Sequence, residues 1–466
     1  MKVKKYLTIV IVLLGLEAYS QTPTSTAPGA VKNSAIEAGD SAAARMEEGD
    51  GPILTSDPDS AMLVPAPVNA GGASMAFPSE AARSNYLEMG LSLMSAYDDN
   101  VTANTGGLPV QDVSYSIRPT VAWRQSSPRA LWDFIYSPGF TFYHHTSSLN
   151  APDHNLSLDS QFRLSPRLTL TLQDGFSKTS NPVAQFYESA GIPAGITQPL
   201  AATVVSPLAD QIQNSGSVQL TYQFGRNSMV GASGIFSQLH YLDRKQVPGL
   251  FDSNAKAAQG FYSRRLSSKQ YVGIRYEFQN LLATPNPITT ETHSLVLFYA
   301  IYFRPRMSVS LFAGPQYSDT YGVTVVSTNT WSPTYGGSFD LQGVRTSLTV
   351  GAFHTITAGG GLQGATKSEG ANAAVRRQLT KYFSGELAGF YSKYDVLVPS
   401  AQFSNGGQAV SGSISLHRQL RESFNIALTY THLHQSYGDI EALSTSPNRN
   451  RVSVSLSYQL QRPIGR

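Results

Sequence analysis

Arg451 to Arg466 reads RVSVSLSYQLQRPIGR. Val452, Val454, Leu456, Tyr458 and Leu460 alternate with Ser453, Ser455, Ser457 and Gln459, and successive side chains of a strand point to opposite faces. One face of this segment is apolar and the other polar. A soluble sandwich can contain one such strand, but here the pattern recurs from about residue 86 to the end, with connections that are alternately short and long. A transmembrane β-barrel is written in this way.

Working outward, the same alternation places Val113, Tyr115, Ile117, Val121 and Trp123 against Ser114, Ser116, Arg118, Thr120 and Arg124. A further strand offers Trp132, Phe134, Tyr136, Phe140 and Phe142. Alternation and turn signals together predict an all-β, transmembrane, antiparallel up-and-down barrel of about 18 strands (range 16–18). The long connections are expected at 98–111, 179–213, 243–256, 319–333 and 436–449. Long loops belong outside and short turns in the periplasm, which puts both termini on the periplasmic side.

Composition agrees with this reading. Of 466 residues, 14% are charged and 10% aromatic, and 39 are glycine; an average soluble protein has roughly 25% charged residues. The mean hydropathy of −0.17 suits a barrel, whose lipid-facing and water-facing residues average near neutral. The net charge of +3 is too small an excess over this length to imply nucleic-acid binding. Cysteine is absent, which excludes disulfides, thiolate metal sites, a cysteine nucleophile and a lipoprotein anchor.

Residues 1–20 combine Lys2, Lys4 and Lys5 with an apolar run from Tyr6 to Leu16 and small Ala18 and Ser20, the pattern of an export signal peptide cleaved after Ser20. The run falls short of the roughly 20 residues of a membrane helix. Residues 21–83, rich in Ala, Pro, Gly and Ser and mildly acidic, are expected to form a disordered periplasmic tail, a tether that offers a site for a periplasmic partner. The barrel occupies 84–466.

The YDDN at 97–100, SIRPTVAW at 116–123, YSPGFTFY at 136–143, AGPQYS at 313–318 and the closing YQLQRPIGR together resemble outer-membrane β-barrel porins of the porin-2 type. The resemblance implies a cell outer-membrane pore or an exopolysaccharide export component. It implies no agreed catalytic or binding residues. Outer-membrane barrels usually end on a terminal aromatic; here Tyr458 and Leu460 are followed by QRPIGR, so the signal read by the insertion machinery is expected to be internal.

Alternation turns Arg118, Arg275, Glu277, Arg376 and Glu386 inward as pore-lining candidates. From Thr179 through Phe224 there is no Lys or Arg, only Glu188 and Asp210. If the 179–213 loop folds into the lumen, these two carboxylates form an acidic constriction facing the wall arginines, a transverse field that favours polar or charged solutes. Arginines gathered at the short turns, Arg124, Arg163, Arg264, Arg265, Arg376, Arg377 and Arg418 among them, read as an interfacial anchor ring.

Nine histidines fall mostly near strand ends, where an amphipathic ring suits the interface, and His432 with His434 are too few ligands for a metal. The Gly359–Gly361 run lacks a following Lys-Ser or Lys-Thr and opens no helix. Neither cofactor nor metal is expected, and no enzyme. The leading expectation is a porin-like channel for small polar solutes, or an export conduit. The alternative is a blocked structural or adhesive barrel that binds partners through its loops or tail. Outer-membrane lipid, lipopolysaccharide and the insertion machinery are the expected partners.

Overall fold

A computed structural model describes residues 85–101, 109–179, 210–242, 250–285, 287–304, 306–323, 325–359, 361, 364–398, 406–421, 423–437 and 448–463. The signal-peptide and tail readings, residues 1–83, lie outside these residues.

Eighteen antiparallel strands close into one sheet. In chain order they are β1 (Tyr86–Asp98), β2 (Asp112–Ser126), β3 (Ala130–Tyr143), β4 (Ala151–Ser165), β5 (Leu168–Thr179) and β6 (Gln211–Gly225). Then come β7 (Ser228–Tyr241), β8 (Asp252–Ser267), β9 (Gln270–Thr284), β10 (Ile288–Arg304), β11 (Met307–Gly322) and β12 (Thr328–Gln342). The last six are β13 (Thr346–Ala358), β14 (Ala365–Gln378), β15 (Phe383–Val396), β16 (Gly407–Arg421), β17 (Phe424–Tyr437) and β18 (Asn448–Pro463). Each strand pairs with the next, and β18 returns to β1, so no strand is left at the edge of an open sheet.

The closing seam runs the full length of β1, from Tyr86↔Pro463 to Asp98↔Arg451. In the sequence the YDDN motif carries part of the resemblance to porin-2-type barrels. In the structure it meets the NRNR of 448–451. Arg449 Nε donates to Asp98 Oδ2 at 2.7 Å, Asn450 Nδ2 to Asp99 Oδ2 at 2.6 Å and Asn100 Nδ2 to the Asn448 carbonyl at 3.1 Å. At the other end of the seam Gln461 Nε2 donates to Glu88 Oε2 at 3.0 Å. First and last strands are thus hooked together by polar groups at both ends.

Register carries one alternation around the barrel. Leu91, Leu93, Ile117, Phe140, Val218, Ile274, Leu297, Leu311, Leu387, Ile414 and Leu456 are all exposed on the outward face, while Ser, Thr and Gln occupy the inward positions between them. An apolar belt outside and a polar wall inside are what a lipid-embedded barrel requires.

One predicted loop is corrected. The expected connection at 319–333 is only Val323 to Ser327, and Trp331, Ser332 and Pro333 lie inside β12. Pro333 ends the expected loop, and proline cannot donate to a ladder. Here it sits directly opposite Pro315 of β11, a pair whose own ladder needs no bond from either nitrogen. The cost falls on the outer neighbours. The β10–β11 pairing skips from Ser294↔Gln316 to Leu297↔Ala313, and the β12–β13 pairing stops at Tyr335↔His354.

Beyond that point β13 continues with β14 alone, through Ala358↔Ala365, and inclines into the lumen. Continuing the register, Ile356 would have been the hydrogen-bonded partner of Pro333. Instead its N–H donates to the inward Gln316 Oε1 at 3.2 Å. Ile356, Ala358 and Ala365 pack on Ala255 of β8 and Leu281 of β9, and the Phe251 N–H donates to the Gly361 carbonyl at 3.0 Å. Gly361 (φ 111°) and Gly364 (φ 95°) supply the left-handed backbone that this tip needs.

Candidate functional site: the inward wall

The inward wall divides into two arcs. On β18 and β1–β4 it carries Arg449, Arg451, Glu88, Asp98, Asp112, Arg118, Arg124, Asp133, Asp153, Asp159 and Arg163. The core of this arc is one row of directly opposed residues, Arg124↔Asp133↔Asp159↔Gln173↔Ser217. Arg124 Nε donates to Asp133 Oδ2 at 2.9 Å, and its Nη2 also bonds that oxygen. Gln173 Nε2 donates to Asp159 Oδ1 at 2.9 Å, and Ser217 Oγ to Gln173 Oε1 at 3.3 Å. The guanidinium of Arg124 lies 5.4 Å from the Tyr86 ring centroid. Asp133 and Asp159 thus stand side by side in this row with Glu88 one inward position away, and Asp159 and Glu88 are each held by a neutral glutamine.

Between Ile117↔Phe140 and Val121↔Tyr136 the β2–β3 ladder is interrupted at Pro119 and Pro138. The Thr120 and Ser137 hydroxyls bridge the gap at 2.9 Å. Arg118 lies over Gly139 there, with Nε 3.3 Å from where a β-carbon at 139 would stand.

On β7–β12 the wall carries few charges and is tightly covered. Ser233↔Gln259↔Glu277↔Ser294↔Gln316↔Ser332 form a continuous cross-strand row, all buried. Gln259 Nε2 donates to Ser233 Oγ at 2.7 Å and Gln279 Nε2 to Glu277 Oε1 at 2.5 Å, while the Thr290 and Thr320 hydroxyls meet at 2.9 Å. Toward the short-turn end the same arc becomes apolar: Met229, Phe261, Tyr271, Phe298, Ala300 and Tyr302 form one buried cluster with Phe312 against it. Phe298 faces Gly273 in register, and its ring occupies the space a side chain at 273 would need. These inward rings therefore lie along the wall.

The sequence-predicted pore residues all stand at inward positions, but not at one level. Arg118 is mid-wall in the charged arc. Arg275 and Glu277 are buried in the arc of β7–β12, where Arg275 Nε lies 3.7 Å from Glu277 Oε2 on its own strand. Arg376 is directly opposite Glu386 near the short turns, and His417 Nε2 lies 3.9 Å from Glu386. Glu188 and most of the 179–213 loop lie outside the described residues. Asp210 stands at the head of β6, where its carbonyl accepts the Leu242 N–H at 2.8 Å.

The arginine ring is corrected in part. Period two sends Arg264 and Arg377 outward but Arg265 and Arg376 inward, and Arg124 is committed to Asp133. What sequence reasoning missed is the acidic pair Asp133 and Asp159, directly opposed, with Glu88 one inward position away on β1. The alternation signal was there, but these residues are far apart in sequence and only register aligns them.

Apart from His417, the strand histidines fall toward the long-loop ends on the outward face. His154, His240, His293, His354, His432 and His434 face out. Tyr136 Oη meets His154 Nδ1 at 3.0 Å, Tyr276 Oη meets His293 Nδ1 at 2.8 Å, and Asn450 Oδ1 meets His432 Nδ1 at 2.9 Å. Rings with one polar edge suit a membrane interface.

No family model matches the chain, and no curated protein matches it. Solved outer-membrane structures superpose on it loosely. OccK2 (OpdF) of Pseudomonas aeruginosa, in complex with glucuronate, is 10% identical over 81% of this chain and 98% of its own, with a TM-score of 0.42. The outer membrane protein OpdK of P. aeruginosa is 9% identical over 81% of this chain and 99% of its own, with a TM-score of 0.40. OccAB4 of Acinetobacter baumannii is 8% identical over 82% of this chain and 100% of its own, also at 0.40. The functional reading therefore rests on the barrel's own walls.

Proposed function

We propose that this chain is an outer-membrane channel through which small polar solutes pass, with the short turns periplasmic and the charged arc of β18 and β1–β4 setting solute preference. The observation that carries the reading is the closed wall of eighteen strands, polar within and apolar without; barrels of this strand number leave an aqueous lumen. In the charged arc Glu88, Asp98, Asp112, Asp133, Asp153 and Asp159 outnumber Arg118, Arg124, Arg163, Arg449 and Arg451 by one, so the lumen favours cations modestly. The inclined β13–β14 hairpin narrows the opposite side, and the porin-2-type motifs agree with such a pore.

The test is single-channel conductance of the refolded protein in a planar bilayer. Discrete, salt-dependent steps with a cation-leaning reversal potential are expected. In the triple variant Glu88→Gln, Asp133→Asn, Asp159→Asn, that potential should move toward anions while step size stays similar. Silence from protein verified as folded barrel would reject the channel.

A further inference from the structure

The notch that Pro333 opens in the wall has an outer side. Where β13 leaves β12, the outward face carries a groove of about 480 Å³ lined by Ala313, Pro315, Trp331, Pro333 and Tyr335. Trp331 is 71% exposed there, its ring 5.2 Å from that of Tyr317. Behind the groove, the wall is drawn inward by the Ile356 bond to Gln316. The concavity is thus built into the backbone by two prolines.

We infer that this groove holds one acyl chain of an outer-membrane lipid as a retained ligand, distinct from the lipid that merely surrounds the barrel. Three observations support it. The groove is continuous with the outward belt that Leu295, Leu297, Leu311 and Val350 expose, so lipid is the medium it opens to. Its outward-facing walls, made by Ala313, Pro315, Trp331, Pro333 and Tyr335, are apolar or aromatic, which suits a hydrocarbon. Its floor and rim are stiff, since both prolines have fixed φ and Gly314 lies so close to the Leu295 carbonyl that a β-carbon would collide with it. A preformed concave site binds a flexible chain with less ordering cost on the protein side than a convex belt does. The chain in turn fills the space that β13 vacates and supports the hairpin in its inward posture.

This inference rests on the membrane-spanning reading, and its test separates the two. Three tryptophans report on the outer surface. Trp123→Phe with Trp132→Phe leaves Trp331 alone; a control carries Phe142→Trp, an exposed outward position also near the long-loop end, with all three native tryptophans replaced by Phe. Both are reconstituted in phosphatidylcholine vesicles brominated on the acyl chains and then transferred into excess unbrominated detergent micelles. In vesicles both emissions should be quenched. After transfer the control should recover fully, while Trp331 stays quenched until exchange is driven by heating. Filling the groove with Ala313→Leu should abolish the retained quenching.

Equal recovery of the two tryptophans would overturn the inference and leave the membrane reading standing. Trp331 unquenched in vesicles beside a quenched control would overturn it too, by showing that a second copy of the chain or another part of it covers the groove. A control unquenched in vesicles would overturn both readings.

Discussion

The two arcs of the lumen are made by the same alternation and differ in what they can tolerate. The arc of β18 and β1–β4 holds most of the inward charge, and its small residues, such as Ser453, Ser455 and Ser457, remain half-exposed. In the arc of β7–β12 the inward charges among the described residues are Arg265, Arg275, Glu277 and Asp340, and the row from Ser233 to Ser332 is buried. A carboxylate in the first arc can keep water or a partner; in the second it must be paired within the wall. Charge has been placed where opposite charges and glutamines meet it, even at buried positions such as Glu88, Asp98 and Arg449, and amides and hydroxyls, which satisfy one another, line most of the second arc.

The sharpest way to break this comparison is to exchange the two environments. Ser294→Asp, in the buried row next to Glu277, should cost several kcal/mol, and Ser455→Asp, in the open arc, within about 0.5 kcal/mol. Urea unfolding in lipid vesicles followed by tryptophan fluorescence would measure both, and equal losses would erase the distinction. Within the charged arc, Asp133→Ala leaves the Arg124 guanidinium without its carboxylate. Their side chains are only 13% and 19% exposed, so a loss of about 2 kcal/mol is expected in the same assay.

A smaller effect concerns the rings that line the closed arc. Gly273→Ala should cost about 1 to 2 kcal/mol, because Phe298 and the Tyr262 carbonyl occupy the new methyl's place. Gly175→Ala, whose β-carbon would meet only Ser215 at 3.7 Å, should be nearly neutral. If both cost the same, the flat packing of phenyl on glycine contributes nothing. A loss of stability of about 1 kcal/mol is expected for Gln316→Ala. It removes the acceptor that holds the Ile356 N–H, so single-channel steps should grow as the hairpin loosens; unchanged steps would show that the hairpin does not narrow the path.

Strand number, strand direction and the facing of each residue were legible in the chain because the period of two is a local property. Arg118, Arg275, Glu277, Arg376 and Glu386 could be turned inward from their neighbours alone. Their partners could not be read in that way. Nothing near Asp133 announces Arg124 on one side and Asp159 on the other as a single row, nor does Asp98 point to Arg449, which follows it by 351 residues.

Pro333 shows the limit most plainly. It ends a segment expected to be a loop, and the strand around it exists because Pro315 faces it across a ladder that asks neither nitrogen for a bond. By itself the sequence determined a closed, antiparallel, amphipathic wall, since alternation, turn chemistry and low charge each act over a few residues. The tertiary structure alone decided where the wall pairs its charges, where it breaks, and that the break tips a hairpin inward and leaves a groove outside. Those outcomes depend on register between distant strands and on which backbone donors are missing when two of them meet.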